Sequence, residues 1–282
     1  MFRTEKLVFT ELHKTGGTHI TAILSELLDG EIIGKHNRLT SEEDHLYKIA
    51  SIRNPWDWYV SLWAYGCQGK GAVYLNTTQK QSLYFYKTQL PNEMGKKRLS
   101  IYEARTQLTH NIKKDTNSWK ALYKDSNDAD LFRKWLKRLL SEEYKFDIGE
   151  GYGFSPISTS HGLMTYRMLK LLTHHTTNVY DKKLFDQYKT IRDFWNKNKN
   201  TDFIVRNEHL ESDLARALEL SNYQPMEYYF KTIENKFQQR TNSSKRKTAD
   251  FYYDQETINL VQCKEQLIID LFGYTSPTPE VN

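Results

Sequence analysis

The stretch LVFTELHKTGGTHI, residues 7 to 20, decides the fold of this 282-residue chain. Its apolar start, with β-branched residues, is typical of a buried strand. A short glycine loop follows, and apolar residues then recur at helical spacing. Gly16 and Gly17 permit positive φ angles and a close approach of the backbone to a ligand. The stretch therefore predicts strand, loop and helix, with the first helical N–H groups and Lys14 binding a phosphate or sulfate.

Taken alone, the loop KTGGT is also compatible with an ordinary β-turn. It is not a Walker A loop, because Lys14 precedes the glycines, and no G-x-G-x-x-G dinucleotide motif follows the strand. A kinase of the P-loop type is therefore disfavoured, and it stays a third alternative.

A second motif, RNPWDWYVS, begins at Arg53 directly after an apolar run. Asn54 suits an N-cap and Pro55 suits the first helical position, so the motif predicts a strand followed by a helix. Ligands bind beyond the carboxyl ends of strands in open α/β sheets, and we expect Arg53 and Ser61 to bind a second phosphate there. The alternatives are a surface ion pair for Arg53 and an ordinary mid-helix position for Ser61.

Strands and helices alternate along the chain, which predicts an α/β fold with a central parallel β-sheet flanked by helices. The expected strands are Leu7–Leu12, Glu31–Lys35, Leu46–Ile52 and Asp202–Arg206. The expected helices are Thr18–Leu28, Pro55–Tyr65, Asp128–Leu140, His161–His174, Lys182–Lys197, Leu210–Leu220 and Gln255–Phe272.

Composition narrows the class of protein. The formal charge is +5, and the basic residues are spread along the chain rather than concentrated as in most nucleic-acid binders. No apolar run reaches the ~18 residues of a membrane span. The two cysteines, Cys67 and Cys263, lack metal-site spacing, so the simple expectation is a reducing, cytoplasmic location.

The two motifs together resemble a known family. HKTGGT resembles the 5′-phosphosulfate-binding loop of PAPS-dependent sulfotransferases, and RNPWDWYVS resembles their 3′-phosphate-binding motif. Residues 201–218 and 242–274 are similar to the late strand–helix and the C-terminal segment of that family. The resemblance implies a P-loop-like three-layer fold and a single sulfotransferase domain over 1–282. The middle of the chain, about 66–200, lies outside the resemblance, and we expect it to be a helical, aromatic-rich acceptor-side insertion.

The resemblance further implies an activity, the transfer of a sulfuryl group from PAPS (3′-phosphoadenosine 5′-phosphosulfate) to a hydroxyl or amine. In-line displacement would release PAP without a metal. The acceptor would be a small molecule, a lipid or a carbohydrate, with no nucleic acid as partner. The alternative is a non-catalytic relative of the same fold that only binds PAP or another nucleotide.

The family's binding residues carry over onto matching positions of this chain. His19 falls where many cytosolic members have a tryptophan that stacks on adenine, and His13 falls where the family often has proline. The cofactor-binding residues that the resemblance implies are Lys14, Thr15, Gly16, Gly17, Thr18, His19, Arg53, Ser61, Arg240, Ser243, Ser244 and Lys245.

Catalysis needs a base to take the acceptor proton. His36, in IIGKHN, follows the second expected strand, and cytosolic family members have a Lys-x-His whose histidine is the base. Glu11 and His13 beside the loop are rival candidates, and a purely structural His36 is the alternative. Lys14 would neutralise charge on the leaving oxygen. Loop aromatics of the middle segment, Tyr152 and Phe154, are expected to line the acceptor site.

Overall fold

The computed structural model describes residues 1–80, 101–174, 179–181, 188–225, 227–229, 233–234 and 246–279. The protein is α/β, with helices flanking a five-stranded sheet. The chain forms two compact units. The first comprises Met1–Asn54, Arg167–Thr176 and Asp193–Ser243, and the second comprises Pro55–Tyr166, Thr177–Arg192 and Ser244–Asn282. The expectation of one sulfotransferase domain stays a prediction.

The sheet belongs to the first unit. Its strands are β1 (Phe2–Arg3), β2 (Leu7–Thr10), β3 (Glu31–Ile32), β4 (Tyr47–Ile52) and β5 (Phe203–Arg206), in the order β3–β1–β2–β4–β5. Strands β2 and β5 both run parallel to β4, with Thr10 opposite Ala50 and Arg206 opposite Ile52. The carboxyl ends of these three strands therefore meet at one edge of the sheet.

The sheet is mixed, so the prediction of a parallel sheet is wrong for one strand. β1 pairs antiparallel with both β2 and β3. After β1 the chain reverses in a tight turn, in which the Thr4 N–H donates to the Leu7 carbonyl at 2.9 Å. Such a short connection joins antiparallel strands, whereas a parallel pair needs a long crossover. β1 has two residues, too few for a periodic pattern to reveal it.

The helices of the described residues are α1 (Gly17–Leu27), α2 (Pro55–Cys67), α3 (Ala72–Thr78), α4 (Ile101–Lys113), α5 (Thr116–Ala121), α6 (Ala129–Leu139), α7 (Ile157–Ser160), α8 (Leu163–Leu172), α9 (Tyr188–Asn198), α10 (Leu210–Leu220), α11 (Ala249–Tyr252), α12 (Gln255–Lys264) and α13 (Gln266–Phe272). Short 3₁₀ helices span Ser41–Glu43, Glu142–Tyr144, Tyr152–Phe154 and Asn207–His209.

Several predicted elements are confirmed to within two residues at each end. α10 agrees at both ends, and α6 begins after Asp128, whose carboxylate accepts from the Leu131 N–H at 2.9 Å. The predicted strand Glu31–Lys35 stops at Ile32, because Gly34 and His36 adopt positive φ angles of 124° and 55°. Residues 182–187 of a predicted helix lie outside the described residues.

The C-terminal helix, predicted as continuous from Gln255 to Phe272, is broken at Glu265. This residue has φ −113° and ψ 22°, between α12 and α13. The prediction of one helix is wrong here because the buried Glu265 side chain makes long-range hydrogen bonds that local periodicity does not encode.

The core of the first unit is formed by side chains on both faces of the sheet. Leu7 and Phe9 of β2 join a buried cluster with Ile20 of α1 and Leu214 of α10. Val8, between them in sequence, belongs to a separate cluster with Met1, Leu39 and Leu46. This alternation is the period of two that a strand imposes on its side chains. α1 and α10 therefore pack on the same face of the sheet.

The second unit contains most of the buried aromatic residues. Tyr152 is 1% exposed, and its hydroxyl donates to the His161 carbonyl at 3.0 Å. Phe154 is half-buried and packs edge-on against Phe146, with ring centroids 5.1 Å apart. The expectation that Tyr152 lines an acceptor site is therefore wrong, because its side chain is part of the core.

Candidate functional site

The loop between β2 and α1 forms an open helix N-terminus. Gly16 is the N-cap of α1, in the left-handed region with φ 86°, and no side chain caps the helix. The N–H groups of His19 and Ile20 donate to the Gly16 carbonyl. The N–H groups of Gly17 and Thr18, one position earlier, have no intrahelical acceptor by geometry. N–H groups in this position can donate to an anion, and the helix dipole favours negative charge there.

Both glycines of the loop are sterically required. A Cβ at Gly17 would lie 2.1 Å from Oε2 of Glu11. A Cβ at Gly16 would lie 2.7 Å from Oδ1 of Asn207, and its positive φ is unfavourable for other residues. The loop therefore packs closely against the side chains of Glu11 and Asn207.

The second motif meets the glycine loop at the sheet edge. Nη1 of Arg53 donates to the Lys14 carbonyl at 3.3 Å. The Thr15 hydroxyl donates to the Leu12 carbonyl at 2.7 Å and lies 2.7 Å from the Ser51 hydroxyl, which accordingly donates to it. The two motifs thus come into direct contact within the first unit, through Arg53 and Lys14, which are 39 residues apart in the chain.

Two residues that sequence reasoning missed complete this edge. The Asn54 N–H donates to Oε1 of Glu208 at 2.7 Å, and Asn207 lies beside Gly16. Arg206, at the end of β5, makes a two-pronged contact with Asp213 that fixes this turn. The available signal was their position directly after β5, because the carboxyl ends of parallel strands converge.

A pair of histidines lies beside the loop. Nδ1 of His36 is 3.0 Å from the Glu11 carbonyl, and the rings of His13 and His36 stack with centroids 3.5 Å apart and planes 13° apart. A carbonyl can only accept, so Nδ1 of His36 carries the proton and the neutral ring has its lone pair on Nε2. The Thr10 hydroxyl donates to the Asn37 carbonyl at 2.6 Å and holds the following backbone.

The remaining candidates of the first unit have different surroundings. Glu11 is 4% exposed, with its carboxylate against Gly17. The Lys14 backbone has a positive φ of 63°. Thr18 is exposed in the first turn of α1, and His19 is half-buried there.

Ser61 and Arg246 belong to the second unit. Ser61 is 3% exposed on α2. At the start of α2, the Asp57 carboxylate pairs with the Arg246 guanidinium. Four predicted phosphate-binding residues of the basic segment, Arg240, Ser243, Ser244 and Lys245, lie outside the described residues.

Comparisons with protein-family models, curated proteins and solved structures give no match. Among the described residues, no helix has the length and apolar character needed to cross a membrane. The same part of the chain contains no group of three or more His, Cys, Asp or Glu residues arranged to hold a metal ion.

Proposed function

We propose that this protein is a PAPS-dependent sulfotransferase of P-loop-like three-layer fold, acting on a hydroxyl or amine of a small-molecule, lipid or carbohydrate acceptor. The observation that carries the proposal is the hydrogen bond from Arg53 to the Lys14 carbonyl. It joins the glycine loop and the RNPWDWYVS motif at one sheet edge. PAPS bears a phosphosulfate at one end and a 3′-phosphate on its ribose, so both motifs are needed together.

The loop fits the 5′ end of such a donor. The N–H groups of Gly17 and Thr18 and the exposed Thr18 hydroxyl would bind the phosphate, since an uncapped helix N-terminus favours an anion. Arg53, with its planar set of donors, suits the 3′-phosphate, and Ser61 is its proposed partner. His19 is the proposed contact for adenine.

Sulfuryl transfer would need little covalent chemistry from the protein, by analogy with phosphoryl transfer. The acceptor oxygen or nitrogen forms a bond to sulfur while the bond from sulfur to the bridging oxygen breaks. The acceptor proton passes to a base, and PAP is released with the bridging oxygen. The Lys14 ammonium would stabilise the negative charge that develops on that oxygen.

We assign the base to His36 rather than to its two rivals. Its Nδ1–H is engaged by the Glu11 carbonyl, which leaves Nε2 to accept a proton. Glu11 is buried against Gly17. The stack covers one face of each histidine ring equally, so the choice of His36 over His13 rests on the Nδ1–H hydrogen bond of His36 and on the family resemblance.

A cytoplasmic location is part of the same proposal. Cys67 and Cys263 are both free thiols, as a reducing compartment would keep them.

The test is the binding of PAP and of 5′-AMP by calorimetry, without metal, to the wild-type protein and to Arg53→Ala. A hydrogen bond to a charged group contributes about 1.5–3 kcal/mol. We therefore expect Arg53→Ala to weaken PAP roughly 10- to 150-fold, far more than it weakens 5′-AMP. The control is Arg216→Ala, an exposed arginine of α10 that pairs with Glu219.

Equal weakening of both nucleotides would remove Arg53 from the 3′-phosphate site. Failure to bind PAP, or binding of ATP with Mg²⁺ instead, would contradict the proposed function. Tight PAP binding without transfer from labelled PAPS to a panel of hydroxyl and amine acceptors would favour the non-catalytic alternative.

A further inference from the structure

The stack of His13 on His36 bears on what fixes the plane of the His36 ring. Among the residues that the structure describes, one hydrogen bond, from Nδ1 of His36 to the Glu11 carbonyl, holds one edge of the ring. It does not fix the ring plane, because the imidazole can tilt about the line that joins these two atoms. The second constraint on the ring is the His13 face, 3.5 Å away and 13° from parallel.

The backbone around His36 does not by itself determine the ring plane. His36 has a left-handed φ of 55°, and the next residue is anchored through its carbonyl to Thr10. These contacts set where Cα lies, whereas the side-chain torsions remain to be set by packing. His13, in the loop that follows β2, supplies that packing with the flat face of its ring.

Ring orientation matters for proton transfer, because the lone pair of Nε2 lies in the ring plane. A tilted ring directs that lone pair away from the acceptor proton, and small misplacements of reacting groups lower rates strongly. We propose that His13 is a positioning residue, whose stacked ring fixes the plane of His36 and so the direction of Nε2. The proposal rests on the proposed function, in which His36 is the base.

This role needs an aromatic face at position 13 and no ring nitrogen. His13→Phe keeps a flat ring, whereas His13→Ala removes it. His36→Ala removes the base itself, and His45→Ala, at an exposed residue outside the site, is the control. Thermal melts of all four variants check that each is folded.

The first measurement is the ¹H–¹⁵N long-range correlation spectrum of the histidine rings, without substrate. We expect His36 to show the Nδ1–H form in wild type, His13→Phe and His45→Ala. In His13→Ala we expect the same Nδ1–H form, because a tilt about the Nδ1–O line keeps that hydrogen bond. We expect the ring plane to be less ordered, which ¹³C relaxation measures as a lower order parameter of the His36 Cε1–H bond. An order parameter in His13→Ala equal to that of the wild type would overturn the proposal.

The second measurement is the turnover of PAPS at saturating acceptor, with PAP affinity alongside. We expect His13→Ala to lower kcat roughly 10- to 100-fold at unchanged PAP affinity, and His13→Phe to restore it to near the wild-type value. His36→Ala should lower kcat by roughly 10²–10⁴-fold. Equal losses in His13→Phe and His13→Ala would show that the His13 nitrogens are needed, and would overturn a pure positioning role.

The two measurements separate the two proposals. If the wild type neither binds PAP nor transfers a sulfuryl group, the proposed function fails, and the positioning of a base fails with it. The ring order parameter then still decides whether His13 orders His36. If transfer occurs and only the His13 results differ from expectation, the proposed function stands without the positioning role.

Discussion

At position 17 there is no room for a methyl group. A Cβ there would lie 2.1 Å from Oε2 and 2.4 Å from Cβ of Glu11, distances that force Glu11 or the loop to move. Overpacking of this kind costs about 1–3 kcal/mol. We predict that Gly17→Ala lowers the melting temperature and weakens PAP by at least about tenfold, because the first N–H groups of α1 are displaced.

Gly69 offers a control without close packing. It has a positive φ of 73°, unlike Gly17, and a Cβ there would meet nothing within 4 Å. Gly69→Ala should therefore lower the free energy of unfolding by only about 1 kcal/mol, because a residue with a Cβ is less favourable at a positive φ. It should bind PAP as the wild type does. Calorimetry and thermal melts compare the two variants. If Gly17→Ala binds PAP as well as Gly69→Ala does, the close packing at the loop is not required for the site.

At the scale of elements, Glu265 connects four helices of the second unit. It lies at the break between α12 and α13, and its carboxylate accepts from the hydroxyl of Tyr59 on α2. It also accepts from the N–H groups of Met164 and Thr165, at 3.1 and 2.8 Å, in the first turn of α8. Burial raises the pKa of Glu265, and these hydrogen bonds offset part of that rise.

We predict that Glu265→Gln destabilises the protein by roughly 2–3 kcal/mol, because the amide NH₂ must face a donor and leaves it unsatisfied. Urea unfolding at pH 7 measures this loss. The control is Glu256→Gln on α12, whose exposed pair with Lys137 contributes about 0–1 kcal/mol. A loss no larger than that of the control would show that Glu265 is not a required junction.

At the scale of the whole molecule, stability should depend on pH through a buried histidine. His161 is 5% exposed, and burial, with a smaller effect from the Lys264 charge, lowers its pKa to about 4. An unfolded histidine has a pKa of about 6.5. The neutral His161 therefore contributes stability that is complete above pH ~6.5 and is lost as the pH falls toward 4.

The shift corresponds to a loss of about 3 kcal/mol over this window. The raised pKa of Glu265 acts in the opposite direction, since its contribution falls as the pH rises above the unfolded value. We therefore compare the free energies of unfolding of the wild type and of His161→Asn, measured by urea unfolding from pH 4 to 7.5. We predict that the wild-type value minus the variant value grows with pH and levels off near pH 6.5. A difference that does not change with pH would contradict the prediction. His45→Gln, at an exposed histidine, is the control.

Local signals were sufficient for several elements of both units. The Asp128 N-cap and the apolar periodicity of Leu210–Leu220 located α6 and α10, since capping and helical spacing are properties of neighbouring residues. The glycine loop and the RNPWDWYVS motif located both sides of the candidate site in the same way. Whether that site transfers a sulfuryl group stays a prediction.

The sequence by itself therefore determined the α/β class, the order of most elements and the residues of the glycine loop. Only the tertiary structure decided the antiparallel β1, the break at Glu265, the approach of Asn207 and Glu208, and the stack of His13 on His36. The reason is physical. Each of these features depends on contacts between distant residues, whose geometry is set by packing of the whole core and leaves no periodic trace in the chain.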